Sequence, residues 1–276
     1  MQGTALRIQG FAPSALMGSL LGLAGVSLRP GSKGVSYPEG RRAAACVSLD
    51  FDVTKESRRE ANRGGTRLLQ GLAERYEIPL TWAICGMTAQ EEPSLLEAVL
   101  GSSVEHEVAF HTYSHIRVDL VTPSQLEEDY HRWRNVMGEV VPKTIVFPYN
   151  KEGNFETIRK LGFTTFRGEE RRVGPPFVDK GSWNISPVLY LSGRSEGTVS
   201  TAKMFIDLCA RYRSVFHLWS HPWNLSREGD PERFARDVLE PIFAYLSEKR
   251  QAGALNLNTM VQLSEFSRSV GQVPPN

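Results

Sequence analysis

The chain has 276 residues, a length that suits one large α/β domain or two small ones. Hydrophobic residues make up 41%, charged residues 23%, and the formal net charge is +1. That composition describes an ordinary globular protein, gives no broad surface for nucleic acid, and neither favours nor excludes acidic substrates. The cysteines Cys46, Cys85 and Cys209 include no CxxC pair, and their odd number excludes a complete disulfide framework. Cys46 and Cys85 lie in apolar runs and read as buried thiols, which fits a reducing compartment.

The chain begins with an ambiguous stretch. Phe11 to Leu28 is uncharged and flanked by Arg7 and Arg29, at the lower limit of length for a membrane span. Pro13 and several Gly and Ser residues keep it weakly hydrophobic. With only Arg7 before it and no A-x-A after it, it makes a poor signal peptide. The expectation is a helix that packs on the domain or lies at a membrane surface, with signal peptide and anchor as alternatives. The location expected is cytoplasmic or peripheral to a membrane, with secretion left open. Residues 29–42, RPGSKGVSYPEGRR, read as a linker, so residues 1–42 stand apart from one domain over 43–270.

That domain alternates strand and helix. AAACVSLDFDV is a short apolar run expected as a buried strand. ANRGGTRLLQGLAERYE places Leu68, Leu69, Leu72 and Tyr76 at helical spacing. IPLTWAIC is a second strand, PSLLEAVLG a helix, and HEVAFH a third strand. TPSQLEEDYHRWRNVMG has a cap-like Thr122, Pro123 in the first turn and a Gly138 stop. KTIVFP, FETIRKLG and FTTFRG read as strand, helix and strand. Residues 168–197 are less regular. A helix near 198–213, the strand VFHLWSH, a helix near 230–250, the strand ALNLNTM and a short terminal helix follow. The pattern predicts a mainly parallel sheet covered by helices, open or closed into a barrel.

Four strands end in unusual polar residues: Asp50 and Asp52, His111 with His115 just beyond, the FPYN segment with Tyr149, and His221. In parallel α/β folds the carboxyl ends of strands form the site, so these four ends would meet on one rim. Each has a plainer reading. His111 and His115 could be a turn pair, and Tyr149 could serve packing only. Asp50 and Asp52, however, point to the same side of a strand, and two like charges there need compensation. Together the residues supply an open metal site of two imidazoles and a carboxylate, a second carboxylate to take a proton, and a histidine to donate one.

At these residues the chain resembles the polysaccharide deacetylases, of the NodB-homology or carbohydrate esterase 4 type, over about residues 44–265. SLDFDV resembles the first motif, HEVAFHTYSH the second and most specific, FPYN the third, and HLWSHPWNL the last. The resemblance implies a distorted (β/α)7 barrel. It implies Asp50 as general base and Asp52, His111 and His115 as ligands of one divalent metal, zinc first and cobalt, nickel or manganese otherwise. It implies His221 as general acid and the Tyr149 N–H as an oxyanion donor, with Pro148, Arg167 and Trp223 as substrate contacts. The Asp-x-Asp spacing leaves open which carboxylate is base and which is ligand.

Some positions depart from the pattern. Val146 stands where the third motif often has an arginine that pairs with the base, and Arg167 is the candidate replacement. For the fourth motif only Asp179 and Trp183 suggest themselves. DVTKESRREANRGGTRLL loosely resembles the start of the lipid-linked aminoarabinose deformylases. The activity implied is metal-dependent removal of an acetyl or formyl group from an amino sugar, glycan or lipid-linked saccharide. An allantoinase-like hydrolase of small amides and an inactive carbohydrate-binding relative are the alternatives. No nucleic-acid partner is expected, and residues 11–28 are the candidate membrane-surface contact.

Overall fold

The computed structural model describes residues 25–29, 36–52 and 56–269. Residues 11–24, which carry most of the expected N-terminal helix, and residues 30–35 of the expected linker lie outside them. The end of that stretch is strand, not helix: Ser27–Leu28 pairs in parallel with Arg172–Val173, and Val26 is buried. Among the described residues no helix is long and apolar enough to cross a membrane.

The domain opens with β1 (Ala44–Phe51), α1 (Glu56–Tyr76), β2 (Leu80–Ile84), α2 (Gly86–Glu91) and α3 (Pro93–Leu100). Next come β3 (Glu107–Phe110), α4 (Pro123–Met137), β4 (Thr144–Val146), α5 (Phe155–Lys160) and β5 (Thr165–Arg167). Then follow β6 (Phe177–Asp179), β7 (Ser182–Asn184), β8 (Leu189–Leu191), α6 (Thr198–Arg211) and β9 (Val215–Ser220). The chain closes with α7 (Glu240–Gln251), β10 (Asn256–Leu257) and α8 (Met260–Ser269). The strands lie in the order β8-β9-β1-β2-β3-β4-β5-β7-β6, with β10 beside β1. All pairs in that sheet are parallel except the β6–β7 hairpin. This curled sheet with helices outside is the distorted barrel expected.

The stretch at 168–197 is the main departure. It holds β6, β7 and β8, three-residue strands too short to show a period-two pattern. Elsewhere local signals hold. Thr122 and Gln125 form a reciprocal capping box at α4, Pro123 follows the cap, and Gly138 ends the helix at φ 60°.

Every residue of β1 is buried, because both faces of a parallel sheet are covered. The two faces differ in chemistry. Ala45, Val47, Leu49 and Phe51 pack toward the helices, in the cluster that holds Trp82, Phe110, Trp133 and Phe166. Each such side chain, fully buried, contributes about 1.5–3 kcal/mol. Ala44 and Cys46 face the other way, in a cluster with Ala83, Ala109, Val146 and, from α8, Met260 and Leu263. Small residues line the inside of the curl because the space there is narrow. Further along that inner row stand Ser48 and then Asp50.

One helix contact bears on the site. A Cβ at Gly65 would lie 2.0 Å from the Pro222 carbonyl oxygen. Only glycine lets α1 come this close to the segment after His221.

Candidate active site

The strand register brings the polar residues to one end of the sheet. Ser220 pairs with Leu49, Asp50 with Ala83, Ile84 with Phe110, and Val146 with Arg167. His221 therefore emerges beside Asp50, and His111 beyond Phe110.

Asp50 and Asp52 differ sharply in surroundings. Asp50 is buried against Arg167, whose Nη1 donates to Oδ1 at 2.6 Å and Nη2 to Oδ2 at 2.5 Å. Burial raises the Asp50 pKa, but the charge and hydrogen bonds of Arg167 outweigh it and hold the carboxyl below its usual range. Asp52 faces the histidines. Its Oδ1 lies 2.9 Å from His111 Nε2 and 3.3 Å from His115 Nε2, and its Oδ2 lies 3.4 Å from His221 Nε2. Burial again opposes ionisation, and hydrogen bonds from His111 and His115 overcome it, so Asp52 is a carboxylate.

The donor set fits a divalent cation. His111 Nδ1 lies 2.7 Å from the Val146 carbonyl oxygen, which can only accept, so Nδ1 carries the proton. Nε2 then donates to Asp52 when the ring is an imidazolium, whereas in the neutral ring its lone pair is available to a cation held between it and the carboxylate. Metal bonds of about 2.1 Å at roughly 90–110° would separate adjacent donor atoms by about 3.0–3.4 Å. The spacing of Asp52 Oδ1 from the His115 nitrogen lies in that range, and its spacing from the His111 nitrogen lies just below it. Asp50, His221 and Cys85 also lie within ligand reach of members of the set. Both Asp50 oxygens are taken by Arg167, and the Cys85 thiol donates to the His111 carbonyl at 3.1 Å. Cys46, Cys85 and Cys209 are all buried and free of disulfides.

The loops that carry these groups are strained. Thr112 (φ 59°), His115 (φ 56°), Tyr149 (φ 60°) and Asn150 (φ 53°) are in the left-handed region, at a cost of roughly 1–2 kcal/mol each. Asp129 of α4 holds the first loop, accepting from Tyr113 N at 2.5 Å, Ser114 N at 3.2 Å and Ser114 Oγ at 2.6 Å. The N–H groups of Gly86 and Met87, at the start of α2, donate to the Thr112 and Tyr113 carbonyls. Tyr149 is exposed, and its ring centroid lies 4.5 Å from that of His115.

His221 is held from one side. Its Nδ1 lies 3.3 Å from the Tyr190 hydroxyl, and the Asn224 amide donates to that hydroxyl at 3.0 Å. Tyr190 can therefore donate to Nδ1, which leaves the His221 proton on Nε2, the nitrogen nearest Asp52. Burial lowers the His221 pKa, against the raising effect of Asp50 and Asp52. Trp223 stacks on the ring at 4.2 Å.

Several sequence expectations need correction. Arg167, named as a substrate contact, is 2% exposed and lies behind Asp50. Its remaining bonds go to Ser48 Oγ and Asn150 Oδ1, and its guanidinium stacks on Trp219 at 4.2 Å. Pro148, also named as a substrate contact, is buried. Among the described residues neither Asp179 nor Trp183, the candidates for the fourth motif, hydrogen-bonds or ion-pairs with the site; Trp183 is fully buried in β7. Tyr190 and Asn224 hold His221 instead. Tyr190 lies in the irregular stretch, and Asn224 follows His221 without any distinguishing pattern, so sequence reasoning passed over both.

Behind the carboxylates runs a second chain of bonds. Arg167 donates to Ser48 Oγ at 3.2 Å, Ser48 donates to His217 Nε2 at 2.8 Å, and His217 Nδ1 donates to the Ile185 carbonyl at 3.1 Å. His217 is fully buried, and burial followed by the charge of Arg167 pushes its pKa down to about 3. The unfolded chain takes up this proton near pH 6.5, whereas the folded protein does not until about pH 3. The stabilisation is present above pH 6.5 and is lost as pH falls, by about 1.4 kcal/mol per pH unit between those values. Urea unfolding of metal-free protein at pH 7 and pH 5 should show that loss, and His217→Gln should reduce the slope by one proton. An identical slope in the variant refutes the assignment.

Comparison with known proteins follows the same lines. The family model for polysaccharide deacetylase matches residues 39–165. The match bears out the resemblance read from the motifs. The matched span holds Asp50, Asp52, His111, His115 and Tyr149 and stops two residues before Arg167.

Similar solved structures extend the likeness to nearly the whole chain at the level of fold. A protein of Mycobacterium smegmatis described as a polysaccharide deacetylase is 16% identical, with TM-score 0.64 and coverage of 91% of this chain and 98% of that one. One from Pseudomonas aeruginosa PAO1, described likewise, is 14% identical, with TM-score 0.62 and coverage of 84% and 93%. An allantoinase is also 14% identical, with TM-score 0.63 and coverage of 87% and 94%. No curated protein sequence matches this chain.

Proposed function

We propose that the chain is a metal-dependent hydrolase that removes an N-acyl group, acetyl or formyl, from an amino sugar, glycan or lipid-linked saccharide. The observation that carries this reading is the division of labour between two carboxylates two residues apart. Asp50 is locked to Arg167, and Asp52 faces the His111 and His115 nitrogens. That arrangement favours Asp52, with His111 and His115, as the metal ligands, and leaves Asp50 as the base.

A divalent ion held there would act as a Lewis acid on the acyl carbonyl and make a water molecule easier to deprotonate. The chain's own residues supply the rest. Asp50, kept ionised by Arg167, accepts the proton of the attacking water. The turn at Tyr149 offers its N–H to the oxygen that becomes negative. His221, after taking up a proton, delivers the Nε2 proton to the departing nitrogen and returns to the neutral ring, while its Nδ1–H donates to the Tyr190 hydroxyl that Asn224 holds in place.

Protein purified without chelator should carry about one divalent ion per chain. Asp52→Ala and His115→Ala should each lose it, and unchanged metal content in both would sink the ligand assignment. The activity itself is tested by measuring acetate or formate released from N-acylated sugars, lipid-linked sugars and ureides. Release from ureides alone would reassign the chain to small-amide hydrolysis.

A further inference from the structure

Beside His221, on the side of α1, lies a cavity of about 630 Å³ lined by Arg58, Ala61, Trp223, Asn224, Ser226 and Arg227. Its position, its charge and its aromatic wall point the same way. Trp223 forms part of the wall and stacks on the His221 ring at 4.2 Å, so the cavity lies one indole ring away from the group assigned as proton donor. Arg58 and Arg227 are both exposed, and neither forms an ion pair among the described residues. Arg58 lies over the Trp223 ring at 5.5 Å. Arg227 gives only Nη1 to a partner, the Ser192 carbonyl. The carboxylate next to it in sequence, Glu228, is bonded to Ser195 N and Oγ. Among the described residues no acidic side chain lines the cavity.

We infer that this cavity is a substrate subsite for an oxyanion, a phosphate or carboxylate carried by the N-acylated sugar, read by Arg58 and Arg227 beside Trp223. The inference rests on the hydrolase reading and narrows its substrate class to anionic amino sugars. The chemistry favours this occupant. Guanidinium groups bind phosphate and carboxylate through paired N–H donors. A neutral polymer would leave two arginines beside its chain with nothing to bind.

The test is equilibrium binding to the full chain, read by calorimetry independently of turnover. The probes are N-acetylglucosamine 1-phosphate, N-acetylmuramic acid and the neutral methyl glycoside of N-acetylglucosamine. The expected result is roughly 10- to 100-fold tighter binding of an anionic probe than of the neutral one, a range typical of charge-assisted hydrogen bonds. The Arg58→Gln/Arg227→Gln double variant should lose that preference while its affinity for the neutral probe changes little. Equal binding of charged and neutral probes by the wild type overturns the inference, and so does an equal loss for both in the variant.

A phosphate can come from a soluble sugar phosphate or from a lipid headgroup. A lipid-phosphate-linked sugar in detergent micelles separates the sources: tighter binding than its soluble headgroup assigns the anion to a lipid, and equal binding assigns it to the soluble form. Both support the oxyanion site. Acyl release with no charge preference fails this inference alone. Charge-selective binding with no acyl release from any sugar fails the hydrolase reading alone.

Discussion

Asp50→Asn will retain its metal and lose turnover by roughly 10²- to 10⁴-fold, the range expected when a general base is removed. The substitution leaves Asp52 and its three histidine neighbours in place. It removes the carboxylate that Arg167 holds with both nitrogens. Metal analysis and acyl release on the same preparation check the prediction. Near-normal turnover would move the base role to another group. Loss of metal would make Asp50 a ligand and reverse the division between the carboxylates.

The second large effect is on stability. Asp50 and Arg167 are both almost fully buried, with side chains 5% and 1% exposed. Breaking such a pair from one side leaves a charge with neither water nor a partner, at a cost of about 3–5 kcal/mol. Arg167→Met will therefore lower stability by about that amount, as will Asp50→Asn to a lesser degree, because the amide keeps one acceptor. The double variant Asp50→Asn/Arg167→Met removes both charges and will be less destabilised than the sum of the single variants. Urea unfolding of the four proteins gives the coupling directly. Additive losses would mean that the pair is not coupled in the folded state.

The comparison of these groups with the sequence is instructive. Asp50, Asp52, His111, His115 and His221 could be placed on strand ends because each follows a short apolar run, and a parallel sheet puts such ends on one rim. The arginine was harder. Val146 occupies the position where the third motif would place it, but Val146 and Arg167 are register partners on adjacent strands. The charge has moved one strand along the sheet, 21 positions on in the chain, to Arg167, the candidate replacement at the end of the fifth strand, and it pairs with Asp50 there. Ser48 and His217 were invisible for another reason. Each lies inside an apolar strand, and their bond depends on β9 pairing with β1, two segments far apart in sequence. Tyr190 lay in a stretch whose strands are too short to carry a signal. The Asp129 carboxylate that holds the histidine loop looked like one more charge on an amphipathic helix.

The close approach at Gly65 has a consequence for how the site can change. Arg58, Ala61 and Gly65 sit at spacings that share one face of α1. The same helix that touches Pro222 thus presents Arg58 to Trp223. The contact at Gly65 lies between His221 on one side and the wall of the cavity on the other. A side chain at position 65 would wedge the helix away from the Pro222 carbonyl, next to both His221 and Trp223.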